Sequence, residues 1–186
     1  MLVIAQMFLE SKGGMSVPVA RNRRMKLKEV SMAIFLVQHG KCAAKDVDPE
    51  KGLTAEGVEE TELIAQVASG YSVPVAKVVH SGKKRAEQTA AIFHRALSVK
   101  QPVETIPGIN PMDDVKSFGA TLRPEDNVMV VGHMPFMQRL VSLLTVGSAE
   151  IRVYQFQNSG IVCLDMSEID GELDWFIKWT LNPLIS

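Results

Sequence analysis

Three short apolar runs in this chain each stop at a histidine, and that arrangement limits the possible folds more than any other feature. They are Ala33-Ile34-Phe35-Leu36-Val37 before Gln38-His39-Gly40, Val78-Val79 before His80-Ser81-Gly82, and Val128-Met129-Val130-Val131 before Gly132-His133. The first and third are continuous rather than alternating, as strands buried on both faces require. Stretches with helical apolar spacing lie between them, which predicts an α/β fold: a sheet covered by helices. Ligands of open α/β sheets bind beyond the carboxyl ends of the strands, so neighbouring strands would bring these histidines to one crevice.

The intervening segments carry their own punctuation. Thr54 reads as an N-cap, with Glu56 in the first turn and Leu53 placed to staple onto Val58; the helix runs to about Gly70. Strand Lys77–His80 leads into a helix with Ala86, Ala90, Phe93 and Leu97 on one face. Val103–Ile106 is a weaker strand candidate, and Asp113–Leu122 a short helix. Pro135 suits the first helical position ahead of Phe136, Leu140, Val141 and Leu144. In the last third, Arg152–Phe156, Ile161–Met166 and Trp175–Trp179 read as strands, the last two joined around Asp170-Gly171. The expected sheet is therefore mixed and mostly parallel, with an antiparallel hairpin at one edge.

The chain's 186 residues and 46% apolar content suit one ordinary domain with a real core. No apolar run approaches the roughly 20 residues a membrane helix needs. Cys42 and Cys163 are the only cysteines, as expected of a protein from a reducing, cytoplasmic compartment. Residues 1–31 hold six basic side chains against two acidic ones; the remainder holds 14 against 19. The leader reads as a poorly ordered basic extension, and residues 32–186 as a single domain. An acidic domain is a poor polyanion binder, so neither nucleic acid nor a membrane is expected as a partner. The oligomeric state is not legible.

Lys83-Lys84-Arg85 breaks a local rule by placing three cations in the first turn of a helix, where the dipole is already positive. Together with free backbone N–H groups, such a turn suits an anion, phosphate being the commonest. Lys83 and Lys84 read as exposed; Arg85 reads as functional. A P-loop is absent, because no earlier glycine precedes Ser81-Gly82-Lys83-Lys84 and no Ser or Thr follows the lysine. Cys42 has Asp48 where a tyrosine-phosphatase loop carries arginine, and both cysteines read as ordinary thiols. A zinc site from His39, His80 and His133 with Asp46 or Asp48 fits no compact metal motif, and no metal is expected. His80 taken alone reads as a core histidine held by a backbone carbonyl, and His94 as exposed.

Four segments then add up: Leu36-Val37-Gln38-His39-Gly40, Gly52-Leu53-Thr54-Ala55-Glu56-Gly57, His80 through Arg85-Ala86-Glu87-Gln88-Thr89-Ala90, and Val131-Gly132-His133-Met134-Pro135. In this order they resemble the histidine phosphatase superfamily, and within it the short SixA-type phosphohistidine phosphatases, from about Met32 to the C-terminus. The resemblance implies a three-layer α/β/α fold like that of phosphoglycerate mutase, no cofactor, and a phosphohistidine-carrying protein as substrate. By the same resemblance, His39 matches the nucleophile that becomes phosphorylated, Arg85 the phosphoryl-binding arginine and His133 the second pocket histidine. Gln38 stands where the family usually has arginine, which replaces a fixed charge by neutral donors. Lys51 matches a position that is often arginine and is expected at the rim as a replacement cation. Members that cleave stable esters add a carboxylate acid, yet Ile106–Pro111 contains none; Asp113 and Asp114 read as helix caps. The expectation is a metal-independent phosphohistidine phosphatase. The alternatives are a phosphate-binding module disabled by Gln38 and a small-molecule phosphatase of the same superfamily.

Overall fold

The computed structural model describes residues 32–169 and 172–183. The basic segment 1–31 and the turn pair Asp170-Gly171 lie outside the described residues. Six strands form one sheet: β1 Ile34–Gln38, β2 Lys77–His80, β3 Glu104–Thr105, β4 Val128–Gly132, β5 Ile161–Ile169 and β6 Glu172–Leu181, in the order β3-β2-β4-β1-β5-β6. Strands β1 to β4 run parallel, whereas β5 is antiparallel to β1 and β6 antiparallel to β5.

Helices α1 Ala55–Gly70 and α2 Lys84–Ala96 cover one face; α3 Val115–Gly119 and α4 Phe136–Val146 cover the other. The continuous run at β1 has a simple cause. Ala33, Phe35 and Val37 pack under α1 and α2, while Ile34 and Leu36 pack on the α3/α4 side, so no position is left for a polar residue. Thr54 caps α1 as expected, accepting from the Gly57 N–H through its hydroxyl, and Leu53 and Val58 both pack against the first cluster.

Three elements differ from expectation. Arg152–Phe156 is not a strand and pairs with none of the six. Its Tyr154 and Phe156 instead meet edge to face, with ring centroids 5.1 Å apart, and join the α3/α4 core. Pro135 stands at the N-cap of α4 rather than at its first helical position. The Asp113–Leu122 helix is shortened to α3, because the Asp114 carboxylate accepts from Lys116 and Ser117 and so fixes the start at Val115.

Candidate active site

The strand order brings β2, β4 and β1 side by side, so the segments that follow them share one edge. Gln38 stands opposite Gly132, and the His39 N–H donates to the Gly132 carbonyl at 3.1 Å. The rings of His39 and His133 lie 5.0 Å apart between centroids.

His39 is oriented from both ends. Its Nδ1–H donates to the Gly40 carbonyl at 2.8 Å, leaving the Nε2 lone pair free, and the Arg85 Nε–H donates to that Nε2 at 3.0 Å. Burial lowers the ring's pKa, the Gly40 bond raises it, and the charges of Arg85 and Lys51 lower it again, to about 4. At neutral pH His39 is therefore an uncharged imidazole whose Nε2 accepts from a guanidinium.

His133 is only 1% exposed. Burial, followed by the effects of His39, Arg85 and Lys83, pushes it down to about 3. Its Nε2 lies 2.5 Å from the Ser81 hydroxyl, and its Nδ1 is buried without a partner among the described residues.

Of the other expected site residues, Lys51 has a left-handed backbone, φ 55°, within a loop closed by two bonds: the Lys51 N–H donates to the Asp48 carbonyl and the Gly52 N–H to the Asp48 carboxylate. The Lys51 charge acts on the His39 ring and lowers its pKa. Gln38 has its side-chain oxygen buried without a partner among the described residues. His80 is a structural histidine: its Nδ1 accepts from the Gly82 N–H at 3.1 Å and its Nε2 lies 3.3 Å from the Thr105 hydroxyl. Gly82, at φ +81°, makes the sharp turn that carries the chain from β2 to the start of α2. His94 is not simply exposed, since its Nε2 hydrogen-bonds the Gln101 carbonyl at 2.9 Å.

Several positioning residues escaped the sequence reading. Thr89 accepts from the Gly40 N–H at 3.0 Å and donates to the Arg85 carbonyl at 2.7 Å, coupling the turn after β1 to the arginine. Gln88 accepts from the Leu53 N–H at 2.7 Å and so holds the Lys51 loop. Both stand in the segment that carries Arg85, so the motif itself was a signal. Asn158 donates to the His39 carbonyl at 2.9 Å from 119 residues away, and nothing in its local sequence marks it. Lys83, expected as an exposed lysine, is half-buried and acts on His133.

Of the residues weighed as a zinc set, only His39 and His133 come together. The Asp48 carboxylate is bonded to Glu50 and Gly52 N–H groups, His80 is engaged as above, and the described residues contain no group of three or more His, Cys, Asp or Glu suited to an ion. Asp113 and Asp114 are both in loop and cap bonds, Asp113 with Asn110 and Asp114 with Lys116 and Ser117. The arrangement is thus one oriented neutral imidazole, one buried second histidine and a guanidinium, with no carboxylate among the described residues bonded to any of the three. No helix among the described residues is long and apolar enough to cross a membrane.

Residues 34–115 match the family described as Histidine phosphatase superfamily (branch 1). Over 151 residues the chain is 29% identical to the phosphohistidine phosphatase SixA of Escherichia coli (strain K12), covering 77% of this chain and 92% of that protein. Among solved structures, the protein histidine phosphatase SixA complexed with tungstate superposes with a TM-score of 0.70 at 28% identity, over 82% of this chain and 97% of that one. A mycobacterial glucosyl-3-phosphoglycerate phosphatase shares the fold at a TM-score of 0.59 and 13% identity, over 82% of this chain and 99% of that one.

Proposed function

We propose that this chain, which matches the histidine phosphatase superfamily over residues 34–115 and resembles SixA, hydrolyses phosphohistidine on a protein through a phosphorylated His39, without a metal. The observation that carries this reading is the His39 ring: Nδ1 is committed to Gly40, so the free lone pair sits on Nε2, beside Arg85.

An incoming phosphoryl group draws the Arg85 guanidinium onto its oxygens and releases that lone pair for in-line attack on phosphorus. The P–N bond to the substrate imidazole breaks as the bond to His39 Nε2 forms; the leaving ring takes up a proton, and water then transfers the phosphoryl group from His39 to give inorganic phosphate. Arg85 and Gln38 balance charge on the equatorial oxygens, the neutral His133 ring closes the buried side of the site, and Lys51 adds a cation at the rim.

The substrate class follows from what the leaving group needs. An imidazole is protonated readily as it departs, whereas an alkoxide needs a positioned acid. No carboxylate is bonded to the histidine pair, and Asp113 and Asp114 are occupied elsewhere. This supports phosphohistidine over alkyl phosphates by at least about tenfold in kcat/KM, roughly 1.4 kcal/mol of barrier. The test is phosphate release from a phosphohistidine-carrying protein, from an aryl phosphate and from phosphoserine, with EDTA present throughout. Efficient turnover of phosphoserine would move the protein to the small-molecule reading; tight phosphate binding with no turnover would make it a binding module, as Gln38 allows.

A further inference from the structure

Among the described residues Ser81 is the one side chain bonded to the buried second histidine, and the proposed mechanism gives it no role. Its hydroxyl lies 2.5 Å from His133 Nε2 and accepts, at 3.5 Å, from the Lys83 N–H in the turn before α2. The opposite ring nitrogen, Nδ1, is buried without a partner among the described residues. Two neutral tautomers fit this contact. If Ser81 donated to Nε2, the ring proton would sit on Nδ1 and leave a buried N–H unpaired, which proteins tolerate least. If Nε2–H donates to Ser81, the unpaired atom is a lone pair, and the serine hydroxyl proton is free.

From this geometry we propose that Ser81 holds His133 in the Nε2–H tautomer and turns its own hydroxyl proton to a phosphoryl oxygen in the site. The inference rests on the phosphatase reading for its ligand, but the tautomer half stands on the contact alone. Ser81 is then an oxygen ligand placed between His133 and the start of α2. It supplies a neutral donor where Gln38 has removed a charged one.

The experiment uses the full chain with 15N-labelled histidine and inorganic phosphate as the probe, comparing Ser81→Ala, Ser81→Cys and Ser81→Thr. The expected spectrum of the parent protein shows His133 protonated on Nε2. Ser81→Ala should mix the His133 tautomers, leave the His39 pattern unchanged and weaken phosphate about tenfold; Ser81→Thr should restore both. Ser81→Cys keeps the shape but bonds weakly, and reports the same loss if the alanine variant does not fold. His133 protonated on Nδ1 in the parent, or a tautomer and phosphate affinity unmoved by Ser81→Ala, would overturn the proposal. A parent chain that binds no phosphate would overturn the phosphatase reading and the ligand half with it, and the ring spectrum would still decide the tautomer half.

Discussion

At the scale of single residues, charge and ring orientation govern the site. Arg85→Ala removes the guanidinium that faces His39 Nε2, and should cost about 2–4 kcal/mol of transition-state stabilisation, as loss of a strong oxyanion donor does. Gln38→Ala should cost less, because the carboxamide is neutral and its buried oxygen already lacks a partner among the described residues. Steady-state kinetics on both variants check the ranking, and equal losses would refute it. The two rings also fix a pH response. His39 at about 4 and His133 at about 3 both lie below the ordinary 6.5, so the unfolded chain takes up protons first as the pH falls. Their contribution to stability is whole above pH 6.5 and is lost progressively as the pH falls through their folded values. Thermal unfolding from pH 7 to 4.5 should show this, with a flatter curve for His39→Asn/His133→Asn. Activity should hold down to about pH 5, since the nucleophile stays neutral to about 4, and then fall.

At the scale of elements, the site depends on how α2 is tied to the turn after β1. Thr89 is the tie. Thr89→Val keeps the shape but leaves the buried Gly40 N–H without its acceptor, a loss of about 1–3 kcal/mol. Because Gly40 carries the carbonyl that orients His39, kcat should fall along with stability; urea unfolding and kinetics on one preparation test the pair, and unchanged kcat would mean the tie is structural only. The start of α1 is as restricted. A Cβ on Gly57 would lie 2.1 Å from the Lys41 carbonyl oxygen, so Gly57→Ala must push α1 away from the loop beyond His39. Lys41 on that loop pairs with Glu56 and Glu60 of α1; the exposed pair with Glu56 contributes little.

At the scale of the molecule, both faces of the sheet are closed by described residues, and the central strands are the least accessible part. Cys163, 1% exposed on β5, reports on this, since burial pushes its thiol up to about 12. It should resist alkylation in the native protein and react only through wide opening of the sheet, at a rate that rises with denaturant; rapid native labelling, followed by mass spectrometry, would show that β5 opens locally.

What the sequence determined by itself was everything with a local cause. Continuous apolar runs gave β1 and β4, since a strand buried on both faces has no polar position to spend. Thr54, Asp114 and the 3.6-residue stripes gave the helices, and the motif order placed His39, Arg85 and His133 at strand ends and a helix start. Tertiary structure decided what depends on neighbours distant in the chain. Arg152–Phe156 makes no strand, because its Tyr154 and Phe156 side chains find their partners in each other and in the α3/α4 core rather than in a ladder. His80 shares its sequence setting with His39 and differs only in what surrounds the ring, Gly82 and Thr105 in place of an arginine. Asn158 and Ser81 acquire their partners only when segments distant in the chain come together, because a hydrogen bond across the fold leaves no period in the sequence that makes it.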